Sequence, residues 1–172
     1  MNEIIFKALL GWLNLVVFRT SPVVLPFSNI LLATLIVLEM TLNTLALQKL
    51  DGISIMEVVA STIAYITIYL GLVYAASRAF EKQERFHKIV LALLGTELLL
   101  IAFLQLLSAV IPATAFASLQ IIFIIWIFFI KSRILKLGFE ISWLKAIVIT
   151  MGITIISSIP TTIVIAPYLN LD

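Results

Sequence analysis

The chain has 172 residues, 63% of them hydrophobic and 12% charged, with a net charge of +2 and no cysteine. Soluble domains carry about 25% charged residues, so this chain has more apolar surface than a single water-soluble domain can hide, and lipid must replace the missing core. The lack of cysteine excludes disulfides, thiolate metal sites, thiol catalysis and palmitoylation.

Ile4–Phe18 is apolar but short, with polar positions Glu3, Lys7 and Asn14, and Gly11 between them, on one narrow helical stripe. It lacks a small-residue cleavage site before Arg19, so it reads as an interfacial amphipathic helix on the cytoplasmic leaflet. Phe6, Leu9, Leu10, Leu13 and Val17 would be its lipid anchors, with Trp12 at headgroup depth. A sixth span is the competing reading of this segment. Pro22 and Pro26 then mark a linker, which closes a lead-in region over residues 1–26.

Residues 27–172 contain five long apolar stretches, Phe27–Leu47, Ile53–Ser77, Ile89–Val110, Ala113–Ile130 and Ser142–Ala166. Each approaches the ~20 residues that cross about 30 Å of hydrocarbon. Ser28 or Asn29 is placed to cap the first, and Asp51-Gly52 marks a tight turn after it. Glu57 falls in the first turn of the second span, where a carboxylate favours the helix dipole. In the loop Arg78–Lys88, Glu81 with Arg85 and Glu84 with Lys88 are spaced i, i+4, as ion pairs on an exposed helix would be. Pro112 sits in a short hairpin before the fourth span. A short amphipathic helix, Ser132–Glu140, is expected in the loop after it, and Pro160 falls inside the fifth span.

The basic residues divide unevenly between the two sides. Lys7, Arg19, Arg78, Lys82, Arg85, Lys88, Lys131, Arg133, Lys136 and Lys145 fall on one side, and Lys49 alone on the other. The positive-inside rule then places the N-terminus in the cytoplasm and the C-terminus outside. Trp12, Trp126, Trp143, Tyr74 and Phe86 fall near the same cytoplasmic boundary and Tyr168 near the outer one, as interfacial aromatics do. The expected fold is all-α, a polytopic membrane protein of five transmembrane helices led by an interfacial helix.

Two carboxylates, Glu39 and Glu97, fall near the middle of the first and third spans. Ionisable groups at that depth are costly and face the bundle interior. With the spans bounded as above, no Lys or Arg lies inside one, so both acids are expected to be protonated and hydrogen-bonded. Asn43 is one turn from Glu39, and Gln105 and Ser108 share a face with Glu97. Glu39, Asn43, Glu97 and Gln105 are therefore the candidate buried polar or relay residues. They could serve either as interhelical hydrogen-bond donors or as a proton or cation relay. Ser61, Tyr65 and Tyr69 in the second span, and Thr150, Thr154, Ser157 or Ser158, and Thr161 in the fifth, form further polar stripes.

No nucleophile elbow, zinc-binding helix or phosphate-binding loop sequence occurs, and His87 is the only histidine. No catalytic residue, cofactor or metal site is expected. The basic residues show no aromatic-interleaved face for nucleic acid. Their expected partners are the lipid bilayer and other membrane proteins or further copies of the chain.

Several local features carry a family resemblance: Phe18-Arg19-Thr20-Ser21-Pro22 with Leu25-Pro26 before the first span, Arg85-Phe86-His87 leading to Leu94-Gly95-Thr96, and Trp126 followed by a basic loop. With the five spans and the amphipathic lead-in, the chain resembles the Yip1 family and small proteobacterial inner-membrane proteins of similar length. The Tyr-Gly-Pro-type motif of eukaryotic members is absent, so a vesicle-trafficking role does not carry over. The resemblance implies a helical, integral and non-enzymatic membrane protein, and the expected function is a scaffold or accessory subunit in the bacterial inner membrane. The alternative is a small channel or proton-coupled transporter component using the buried carboxylates.

Overall fold

The computed structural model describes residues 2–26, 28–47, 53–108 and 110–168. Six α-helices account for most of them: α1 (Asn2–Val16), α2 (Asn29–Leu47), α3 (Ile55–Ala79), α4 (Phe86–Ser108), α5 (Ala113–Phe139) and α6 (Trp143–Ile165). Four stretches are long and apolar enough to cross a membrane, Ile55–Ala79, Gln83–Ser108, Ser118–Phe139 and Trp143–Ile165, and Asn29–Leu45 is a shorter apolar helix. The turn expected at Gln48–Gly52 lies outside the described residues.

Helices α2 to α6 close into a ring. α2 packs on α3 and α4, α3 on α6, α6 on α5, and α5 on α4. The tightest pairing, α3 with α6, follows from the sequence. α3 buries Val58, Thr62, Ile66, Tyr69, Val73 and Ser77, and α6 buries Ala146, Thr150, Ile153 and Ser157. Both sets step by three or four residues, the spacing that seats side chains of one helix between those of its neighbour. The small and hydroxyl-bearing residues let the backbones approach. Three of the hydroxyls bond within their own helices: Ser77 donates to the Tyr74 carbonyl at 2.7 Å, Thr150 to that of Ala146 at 2.8 Å and Ser157 to that of Thr154 at 3.3 Å, while Thr62 Oγ1 has no partner among the described residues. These hydroxyls thus permit close packing without bonding across the interface.

Local chemistry sets the helix starts. Ser28 Oγ accepts from Leu31 N at 3.4 Å. Ser54 and Glu57 form a reciprocal capping box, a fuller role for Glu57 than a dipole contact. Three helix ends use a non-glycine residue in the left-handed region, Phe18, Glu81 and Glu140. At each, the next amide reaches back to close the last turn: Arg19 N to Asn14 O (2.7 Å), Lys82 N to Ser77 O (2.8 Å) and Ile141 N to Lys136 O (3.1 Å).

The break at Glu81 removes the i, i+4 geometry expected of the Arg78–Lys88 loop. Arg85 Nη1 and Lys82 Nζ both donate to Glu140, each at 2.6 Å, and Lys88 Nζ donates to the Val23 carbonyl at 2.8 Å. Hydrogen bonds from Lys82 and Arg85 hold the Glu140 carboxyl below its ordinary range. The α3–α4 and α5–α6 connections are thereby tied together at the basic end of the ring.

Two further expectations change. Residues 132–139 do not form a separate helix after a fourth span, because α5 runs unbroken to Phe139. Lys131, Ser132 and Arg133 are polar but not helix breakers, so the helix propagates through them. The lead-in helix is present, but Trp12 does not face outward. It is buried against Gly95, about 13 Å along α4 from Phe86. Ala8 and Leu15 are buried on the same side. The chain then turns at Phe18 and runs back along α1, with Leu25 against Gly11 and with Lys7 and Asn14 facing Ser21 and Val24. Lys7, Gly11 and Asn14 of the polar stripe therefore face the chain's own return segment, and Glu3 pairs with Lys7 at the exposed end. Phe6, Leu9, Leu10, Leu13 and Val17 remain exposed.

This packing needs Gly95, since a Cβ there would meet the Trp12 indole. In a background with Trp126→Phe and Trp143→Phe, Gly95→Val is expected to release Trp12, seen as stronger quenching by acrylamide or by brominated lipid. Quenching unchanged from the parent would contradict the α1–α4 contact.

Candidate functional site

Each helix of the ring brings a polar or charged side chain towards its centre. α2 contributes Glu39 and Asn43, α3 Tyr65 and Tyr69, α4 Glu97, α5 Lys131 and α6 Thr150. Glu39 is 2% exposed and Lys131 8%, so both are withdrawn from solvent and lipid. Lys131 Nζ lies 2.7 Å from Glu97 Oε2. The ammonium also sits 5.4 Å from the centre of the Tyr69 ring, which stacks on Tyr65 with the ring centres 5.9 Å apart. Asn43 Nδ2 donates to Glu39 Oε1 at 3.2 Å, while Glu39 Oε2 is buried with no hydrogen-bond partner among the described residues.

These distances overturn the expectation that no basic residue lies inside a span. A lysine at the end of an apolar run reads as the start of a loop. The long stem of Lys131 is instead carried inside on a continuing helix, and its charge meets Glu97. Glu97 therefore has an ionic partner in place of the neutral hydrogen bond expected for it. Removing Lys131 from the basic side leaves the charge asymmetry intact, because nine basic residues still face one.

Of the four candidates, Glu39, Asn43 and Glu97 belong to this cluster. Gln105 does not; it lies two turns beyond Glu97 on the exposed surface of α4. Sequence reasoning missed Lys131. The available signal was that Ile130 and Ile134 flank it at helical spacing, and both are fully buried. The space left beside Lys131, bounded by Tyr69, Thr150 and Thr154, is about 10 Å³, room for about one water. Among the described residues no group of His, Cys, Asp and Glu could hold a metal ion. His87 is exposed beside Phe86, away from the cluster.

Removing one member of a buried pair leaves the other uncompensated, at a cost of about 3–5 kcal/mol. Lys131→Met is therefore expected to destabilise the protein by about that amount in detergent unfolding. The double variant Lys131→Met with Glu97→Gln is expected to recover most of the loss. Equal destabilisation by the single and the double variant would contradict the pairing.

Comparison with protein families, with curated proteins and with solved structures finds no match to this chain.

Proposed function

We propose that this chain is a five-span protein of the bacterial inner membrane, with its N-terminus in the cytoplasm and its C-terminus outside, acting as a non-enzymatic scaffold or accessory subunit. Four long apolar helices and the shorter α2 support the span count, and the charge asymmetry supports the orientation. The Yip1-like resemblance of the sequence supports the same class. Residues 2–26 would then be a docked lead-in that rises beside α4 from the cytoplasmic side and returns.

The observation that carries the scaffold reading is the closure of the charged centre. Side chains from α3, α4, α5 and α6 meet there around a space of about 10 Å³, and α2 adds the buried Glu39. An ion pair buried in this way fixes how helices register against one another. A body with fixed helix register and an apolar outer surface suits the assembly of other membrane proteins or lipids around it.

One observation favours the second reading, a small channel or proton-coupled transporter component. The centre holds two carboxylates and one ammonium, and Glu39 Oε2 has no hydrogen-bond partner among the described residues. A proton on Glu39 would balance the charge and could in principle be exchanged.

Proteoliposomes loaded with a pH-sensitive dye separate the two. The scaffold reading expects no protein-dependent proton flux under a pH gradient or a membrane potential, and a folded, stable Glu39→Gln variant. A proton flux that Glu39→Gln abolishes would overturn it in favour of the transporter.

A further inference from the structure

A second feature lies outside the charged centre, where α1 meets α4 and α5. Leu13, Val16, Leu99, Leu100, Phe103, Ile122, Phe123 and Trp126 line a groove of about 430 Å³, within the ~300–1,000 Å³ of small-molecule sites. Its walls are apolar, and its rim is open: Leu13, Phe103, Ile122 and Trp126 are each 44–57% exposed. In a membrane protein such a rim faces lipid.

One end of the groove is cationic. Trp126 meets the Phe18 ring, with centres 5.8 Å apart, and the Arg133 guanidinium lies over the same Phe18 ring, 5.1 Å from its centre. Arg133 Nη1 is buried and has no acceptor among the described residues. Arg133 stands two helical turns beyond Trp126, toward the basic end of the ring, whereas Ile122, Phe123 and Phe103 lie deeper. The order along the surface is thus a half-buried guanidinium, then aromatic rings, then an aliphatic groove. That is the order of an anionic phospholipid seen from its phosphate to its acyl chain.

We propose that this groove binds an anionic phospholipid of the leaflet at the basic end, with its phosphate on Arg133 and one acyl chain along Trp126, Ile122 and Phe103. Charge complementarity selects the occupant. A zwitterionic lipid offers the same chain but a neutral headgroup, and an apolar helix of another protein or of a second copy leaves Arg133 without an acceptor. The proposal rests on the membrane reading above, but not on the scaffold role.

The test uses the full chain with Trp126 as its only tryptophan (Trp12→Phe, Trp143→Phe), in bilayers of phosphatidylcholine and phosphatidylglycerol. Bromine on the acyl chains is placed in one lipid or the other at equal mole fraction. Brominated phosphatidylglycerol is expected to quench Trp126 with about fivefold preference, the contribution of one basic residue to anionic-lipid attraction. Arg133→Gln is expected to abolish the preference, and Arg133→Lys to retain part of it. Equal quenching by the two lipids in the parent protein overturns the anionic site and leaves the membrane reading standing. The same holds for a preference that survives Arg133→Gln. Weak quenching by both that strengthens as the protein is diluted in lipid assigns the groove to a second copy and overturns the proposal. No quenching by either lipid at any dilution overturns the membrane reading beneath it.

Discussion

The structure depends on an ion pair largely withdrawn from its surface, between two side chains 10% and 14% exposed. Lys131 and Glu97 approach to 2.7 Å between α5 and α4, with Glu39 of α2 and Tyr69 of α3 around them. Either charge alone at this position would be costly, and together they compensate only when the helices carrying them are in register. A shift of α5 by one turn, about 5.4 Å, would carry the ammonium out of reach of Glu97. The pair therefore does little for affinity between helices in general and much to exclude wrong arrangements of them. The remaining stabilisation comes from ordinary packing, above all the interleaved small and branched residues of α3 and α6.

Around that centre the protein presents two different surfaces. The basic end is tied by Glu140, which joins the α3–α4 and α5–α6 connections through Lys82 and Arg85. The lead-in hairpin docks there too, held by Trp12 on Gly95, Leu25 on Gly11 and the Lys88 contact with Val23. The other surface is aliphatic and faces outward, as at Leu106, Ile121, Ile124 and Ile163. The groove beside Trp126 lies where these two surfaces meet, which is why a cation and an apolar channel are neighbours there.

Much of this was legible in the sequence. Apolar run length located the ring helices, because a helix that must satisfy its backbone in lipid cannot be interrupted by polar stretches. Ser28 and the Ser54–Glu57 pair announced helix starts through their capping chemistry. Glu39 with Asn43, and Glu97, were identifiable as interior from their cost at that depth. The inward lysine was hidden because a charged residue reads as the end of a membrane segment. Lys131 terminates a hydropathy run but not a helix, and its four-carbon stem hides the distinction. The lead-in helix was legible as a helix but not in its docking. The reasons Gly11 and Gly95 are glycines lie in residues far along the chain, Leu25 and Trp12. The helix ends at Phe18, Glu81 and Glu140 were hidden for a related reason, since none carries the glycine that usually signals a left-handed cap.

Lys131 points inward to Glu97 in the folded protein, in place of extending along α5 toward the basic end. Solid-state NMR in lipid bilayers measures this directly, through the dipolar coupling between the Lys131 Nζ nitrogen and the Glu97 carboxyl carbon. The account predicts a strong coupling, consistent with the 2.7 Å nitrogen–oxygen contact. A Lys131 nitrogen that shows no coupling to Glu97 and instead exchanges with water would contradict it.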